Sequence, residues 1–206
     1  MDLKERILTI TTQQTMQVGV SSTTMDNIAR SCGISKRTLY ELFPDKLTLL
    51  TEAMRFSIGK QREKLNELIE KSDNTLNALL SIYSHIRDQV SHTAQVMIDD
   101  IRRLYPSLYE EYLNEHFQNN RNFAQILKEG QKQGFIRKNA DIDVAISGFS
   151  IIMLNIKRNN PIAISQFNTK QILDETFITL IRGLASQEGI QIIDKFLEER
   201  ETTKTE

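Results

Sequence analysis

The stretch Thr23–Phe43, TTMDNIARSCGISKRTLYELF, decides the fold. Its apolar positions Ile28, Ala29, Ile34, Leu39 and Leu42 form an inward-facing set on either side of Gly33, which predicts two short helices joined by a tight turn. Thr24 stands at the N-cap of the first, over Met25–Ser31, where Asp26 and Asn27 suit the opening turn. Ser35 caps the second, Lys36–Phe43, and Pro44 ends it. Ala29 is small where the two helices must cross closely. Basic and hydroxyl residues crowd onto the second helix, the shape and chemistry of a helix-turn-helix that enters the DNA major groove.

The N-terminal end of such a helix offers Ser35, Lys36 and Arg37 to base edges. Arg and Lys donate to O6 and N7 of guanine, worth about 1–3 kcal/mol of discrimination for a good bidentate pair. Thr24, Thr38 and Tyr40 carry hydroxyls suited to phosphate oxygens, and Lys46 places a cation beside the next helix N-terminus. Each residue also has a plainer reading: Lys36 and Arg37 as a solvated face, Tyr40 as packing on the first helix, Thr24 as a cap alone. The constellation Thr-x-x-x-Ile-Ala-x-x-x-Gly-Ile-Ser-Lys-x-Thr-Leu-Tyr-x-x-Phe-x-x-Lys demands the turn glycine, the core positions and the polar donors together.

Outward from this unit the chain reads as helix. A first helix over about Leu3–Val18 carries Leu3, Ile7 and Ile10 at helical spacing and stops at Gly19. Asp45 caps a connector helix from about Lys46 to Lys71. Further helices follow over Thr75–Ser91, a shorter segment to Arg103, Leu108–Gln133 after the Pro106 break, Asp141–Asn155, Lys170–Ala185, and on past Gly189 to Arg200. Asn159-Asn160-Pro161 begins a loop, and the tail ETTKTE is expected to be disordered. Three prolines, eight glycines, no Trp and no alternating strand pattern give an all-α fold. The expected domains are a head over residues 1–46, a helical body over 47–200 and a tail over 201–206.

The 206 residues are 39% hydrophobic and 26% charged, the balance of a soluble globular protein. With a formal net charge of −1, and eight Lys/Arg against six Asp/Glu in residues 1–60, DNA binding must come from local placement of charge. The single cysteine, Cys32, excludes an intramolecular disulfide and a thiolate zinc site, and reads as a small buried filler. The start MDLKERILTITT is no secretory signal, and Val144–Ile156 is too short to cross a bilayer, so a cytoplasmic location is expected. His85, His92 and His116 lack close-spaced partners, and Asp99 and Asp100 point to different helix faces. With no glycine-rich phosphate loop or nucleophile elbow either, no metal, cofactor or catalytic residue is expected.

The segment TTMDNIARSCGISKRTLYELFPDKLTLL resembles the N-terminal DNA-binding segment of the TetR family of transcriptional regulators, the likeness covering roughly residues 3–50. The resemblance implies a homodimeric, all-helical protein of about nine helices, three of them in the head, with a variable body for effector binding and dimerisation. Carried over by position, it implies that Thr24, Tyr40 and Lys46 hold phosphates while Ser35, Lys36, Arg37 and Thr38 lie at or near base edges. Cys32 sits in the turn, where the family is permissive.

A helix apolar all round must be covered on more than one side. Val144, Ile146, Phe149, Ile151, Ile152, Met153 and Leu154, with Ser147 and Gly148 allowing close approach, therefore point to a partner subunit. Phe177, Leu180, Ile181 and Leu184 form a second stripe beside Gly183, giving a four-helix dimer interface, also where the family places it. Tyr83, Met97, Tyr105, Tyr109, Phe117, Asn120 and Phe123 are candidate pocket residues, although rings and Met at helical spacing equally make plain core. The expected function is a ligand-responsive repressor that binds a pseudo-palindromic operator as a homodimer and releases it when a small-molecule effector binds. An activator would share the same residues, a helical ligand-binding module would have lost the DNA readout, and an all-α enzyme would use the body as its active site.

Overall fold

The computed structural model describes residues 2–89, 92–156 and 169–202. Among these residues the fold is all-α: α1 (Leu3–Ser22), α2 (Met25–Ser31), α3 (Lys36–Leu42), α4 (Lys46–Glu70), α5 (Thr75–Gln89), α6 (His92–Leu104), α7 (Pro106–Lys132), α8 (Ile142–Ile156), α9 (Thr169–Leu184) and α10 (Gln187–Thr202). A lone antiparallel bridge joins Ile136 to Ala185. The expected loop at Asn159-Asn160-Pro161 and residues 203–206 of the expected tail lie outside the described residues.

The chain divides into two compact units, Met1–Lys64 with Ser91–Glu115, and Leu65–Val90 with His116–Glu206. The first takes in more than the expected head of residues 1–46, because α6 packs along α1 and brings the opening turns of α7 with it.

In the first unit, α1 begins at Asp2, whose carboxylate accepts the Glu5 N–H at 2.7 Å. Gly19 does not end the helix as expected. Its φ of +82° breaks the path, and a further turn runs on to Ser22. Ile7 and Leu8 of α1, Met25, Ile28 and Ala29 of α2, Cys32, Leu39 of α3, Phe43, and Leu49 and Ala53 of α4 form one core, with Ile10 and Ile34 packed against it. The inward assignment of Leu42 is corrected: it is 40% exposed, while Phe43 is fully buried. Phe43 is the extended C-cap of α3, and its ring joins Leu39 in the same core while Leu42 stays outside. A second cluster joins Val20 of α1, Leu50 of α4, Ile101 of α6 and Leu108 of α7.

The second unit is built on Leu76, Leu79, Leu80 and Tyr83 of α5, Ala124 and Leu127 of α7, Ile142 and Ile146 of α8, Leu173, Phe177, Ile181 and Leu184 of α9, and Ile193 of α10. Gly189 is required by packing, since a Cβ there would run into the Phe135 carbonyl oxygen. One charged group fastens three helices. Asp174 of α9 accepts from Arg87 Nε of α5 at 2.7 and 2.9 Å and from the Tyr83 hydroxyl, which in turn accepts from Arg200 of α10 at 3.0 Å. Burial and the Asp174 carboxylate push the Tyr83 phenol up to about 12, so it remains a donor.

Burial pushes the Asp174 carboxyl upward, but bonds from Arg87 and Tyr83 and the charges of Arg87 and Arg200 outweigh it and hold the group below its ordinary value. A carboxyl depressed on folding contributes stability that is complete above the unfolded pKa of about 3.9 and lost as pH falls through the lower folded value. Asp174→Asn is therefore expected to melt below the wild type at pH 7, with the gap in Tm closing as pH is taken below about 4. Thermal melts of both proteins from pH 7 to pH 3 check this, and a gap constant with pH would contradict it.

Candidate nucleic-acid interface

The reading unit is assembled by caps. Thr24 Oγ1 accepts the Asn27 N–H at 3.1 Å and starts α2. That helix ends in a Schellman motif: Ile34 N–H bonds to the Ala29 carbonyl and Gly33 N–H to the Arg30 carbonyl, both at 3.0 Å, with Gly33 in the left-handed region at φ +64°. Ser35 then caps α3 by accepting the Thr38 N–H at 3.0 Å, and its hydroxyl also bonds with Thr38 Oγ1 at 2.8 Å. Asp45 starts α4 by accepting the Thr48 N–H at 2.7 Å, a bond that holds its carboxyl below the usual range.

These caps leave a polar face. Thr24, Ser35, Lys36, Arg37 and Tyr40 are exposed, and Thr38 is half-buried beside Ser35. Arg37 is 89% exposed at its side chain and holds Glu41 by Nε at 2.9 Å. Lys36 reaches Asp26 of α2 at 2.7 Å and lies 5.9 Å from the Tyr40 ring centroid, and its hydrogen bond to Asp26 raises its pKa. Both ion pairs are exposed and screened by solvent, so each yields readily to a better partner. Asp26 does more than suit the opening turn of α2. It tethers Lys36, the cation nearest the start of α3, to α2.

Lys46 is placed differently from the other candidates. Its ammonium is half-buried and donates to the Val20 carbonyl at 2.6 Å, at the end of α1. Burial lowers its pKa, and the Asp100 carboxylate acts against that.

The pocket candidates fall into different clusters. Met97, Tyr105 and Tyr109 are half-buried around Val20, Leu50, Ile101 and Leu108 in the first unit. In the second, Tyr83 is 1% exposed, stacks on Phe177 with centroids 4.4 Å apart and has its hydroxyl satisfied, so it is filled core and not a wall. Phe123 meets Phe177 edge-on at 5.9 Å. The side chains of Phe117 and Asn120 lie outside the described residues.

The expected dimer residues divide as well. Phe177, Ile181 and Leu184 are corrected to protomer core, because α9 turns that stripe onto its own α5 and α8. Phe149 and Leu180 are half-buried against the same core, and the Met153 side chain lies outside the described residues. What α8 leaves uncovered is Val144 (66% exposed), Ile151 (60%) and Ile152 (46%). Gly148 between them and Gly183 of α9 both have open space where a Cβ would stand. Among the described residues no group of His, Cys, Asp and Glu could hold a metal ion, and no helix is long and apolar enough to cross a membrane.

Capped short helices, a left-handed turn glycine and an exposed Ser-Lys-Arg N-terminus define a helix-turn-helix DNA reader. Comparison with known proteins agrees. Residues 7–53 match the family model for bacterial regulatory proteins of the tetR family. The repressor KstR2 of Mycobacterium tuberculosis is 21% identical over 181 residues, covering 84% of this chain and 87% of the relative. YhgD of Bacillus subtilis, an uncharacterised HTH-type regulator, is 32% identical over 85 residues, 39% of this chain and 44% of its own length. Among solved structures, a putative regulator from Saccharomonospora viridis in complex with choline superposes with a TM-score of 0.71 at 17% identity, over 89% of this chain and 98% of that one. KstR2 itself gives 0.60 at 17% identity, over 90% and 96%. Residues 7–53 thus match the DNA-binding segment of the tetR family, the chain is similar along its length to the repressor KstR2, and it is a DNA-binding regulator.

Proposed function

We propose that the protein is a ligand-responsive transcriptional repressor, without enzymatic activity, that binds a pseudo-palindromic operator as a homodimer in the cytoplasm. The observation that carries this reading is the N-terminus of α3, where Ser35, Lys36 and Arg37 are exposed beside the half-buried Thr38; in this reading the four meet base edges. Thr24, Tyr40 and Lys46 serve as the phosphate contacts that fix its register. Repressor polarity is supported by the KstR2 relatives, which carry that activity. Dimerisation is supported by the exposed stripe Val144, Gly148, Ile151, Ile152 on α8, whose spacing places it on one helical face. An effector that binds better to the protein when its two heads are set at the wrong spacing would release the operator.

Lys46 gives the test. For it to reach a phosphate its ammonium must exchange the Val20 carbonyl for an anion, and a charged acceptor is the stronger partner. Lys46→Ala is therefore expected to weaken binding to specific and random duplexes alike. It should also reduce the slope of log K against log[salt] by about 0.9. Anisotropy titrations from 50 to 300 mM salt measure both, and an unchanged slope would remove Lys46 from the phosphate contacts.

A further inference from the structure

Beside the reading face lies a contact that none of the expected DNA residues makes. Asp100 of α6 is 7% exposed, and its Oδ2 accepts both the Ser21 N–H and the Ser21 hydroxyl at 2.7 Å, while Arg103 Nη2 holds Oδ1 at 3.0 Å. The carboxylate therefore grips the backbone of α1 immediately after its break at Gly19. The approach is close enough that a Cβ on Gly19 would stand 2.8 Å from Oδ2, so glycine is needed there for space as well as for its positive φ.

The same short peptide is bound from its other sides. Val20 is fully buried against Leu50, Ile101 and Leu108, its carbonyl accepts from Lys46, and Thr23 Oγ1 donates to the Gly19 carbonyl at 2.8 Å. The next residue is Thr24, cap of α2 and a proposed phosphate contact. Two residues, Ser22 and Thr23, thus separate the Asp100 grip on Ser21 from the hydroxyl of Thr24, and the Val20 carbonyl ties the grip to Lys46.

We propose that Asp100 is a positioning residue for operator binding: through Ser21 it sets where the end of α1 hands over to Thr24 and Lys46, without touching DNA itself. The proposal rests on the DNA-reading assignment of the head, and it makes a prediction of opposite sign to simple electrostatics. Deleting a carboxylate beside a DNA-binding surface should tighten binding if charge alone matters. Loss of a positioning contact should weaken it.

The probe is a duplex enriched from random sequence by the wild-type protein. Asp100→Ala is expected to lower affinity for it by about three- to thirtyfold, a range typical of residues that act through coupling and not through contact. The salt slope should stay at the wild-type value, unlike that of Lys46→Ala. Asp100→Asn keeps an acceptor for the Ser21 N–H and should recover part of the loss. Amide exchange across residues 19–27 should rise in Asp100→Ala while that of α8 and α9 is unchanged. If Asp100→Ala does not fold, Ser21→Ala removes one of the two donors and should give a smaller loss at constant slope. Wild-type or tighter binding by a folded Asp100→Ala or by Ser21→Ala, or unchanged exchange over 19–27, would overturn the proposal. A wild-type protein that enriches no duplex would instead overturn the DNA-reading assignment on which it rests.

Discussion

Arg37→Ala is expected to remove about 1–3 kcal/mol of discrimination between operator and random duplex, roughly a five- to 150-fold loss of preference. The side chain is free to act. It is 89% exposed, and its present partner Glu41 lies one turn along the same helix, a pairing worth only about 0.3–0.5 kcal/mol. Exchanging that carboxylate for the O6 and N7 of a guanine therefore costs little against what a bidentate contact returns. Lys36 gives up Asp26 on similar terms, so Lys36→Ala should also relax preference at its own base position. Competition titrations with single-base variants of the operator read this directly. Loss concentrated at one base position per substitution is the expected signature, whereas a uniform loss across all duplexes would make these residues phosphate contacts.

If the proposed dimer forms through α8, Ile151→Glu is expected to leave a monomer at micromolar concentration and to lower operator affinity by about a hundredfold or more. Ile151 is 60% exposed in the protomer, so the substitution leaves the core untouched and the melting temperature should scarcely move. In a dimer the same position would face its symmetry mate across a two-fold axis, where opposed carboxylates replace apolar contact. Two heads joined in one particle gain about 10²–10⁴ in avidity over either alone, and that gain is what dissociation forfeits. Sedimentation and anisotropy on the same sample separate the effects. A variant that remains dimeric would move the interface off this stripe, and a monomer that holds the operator as tightly as the wild type would deny that the two heads act together.

Much of the head was legible because its determinants are local. Thr24, Gly33, Ser35 and Asp45 each act within a few residues, so caps and turn could be read from spacing. Leu42 and Phe43 were harder: both fit the apolar pattern, and only the extended backbone after α3 decides which side chain goes inside. Asp100 gives no local signal of its role, since its partner Ser21 lies 79 positions away. Its neighbour Asp99 points to a different helix face and pairs with Arg102. In the body, Phe177, Ile181 and Leu184 looked like an interface because an apolar stripe does not say whether its cover comes from the same chain or from another. Tyr83 likewise fitted a pocket wall until its stacking on Phe177 and its bond to Asp174 placed it in the core.

In the proposed mechanism α3 reads DNA sequence by its N-terminus, twice, in a symmetric pair. The most direct measurement is enrichment of duplexes from a random library by the wild-type protein, followed by sequencing of the bound fraction. The bound fraction is expected to show a two-fold symmetric consensus whose half-sites are centred about one helical turn, ~34–36 Å, or a multiple of it apart. The base preference should also blur in each half-site when Arg37 is Ala. Enrichment of an asymmetric single site, or of no sequence at all, would contradict this mechanism.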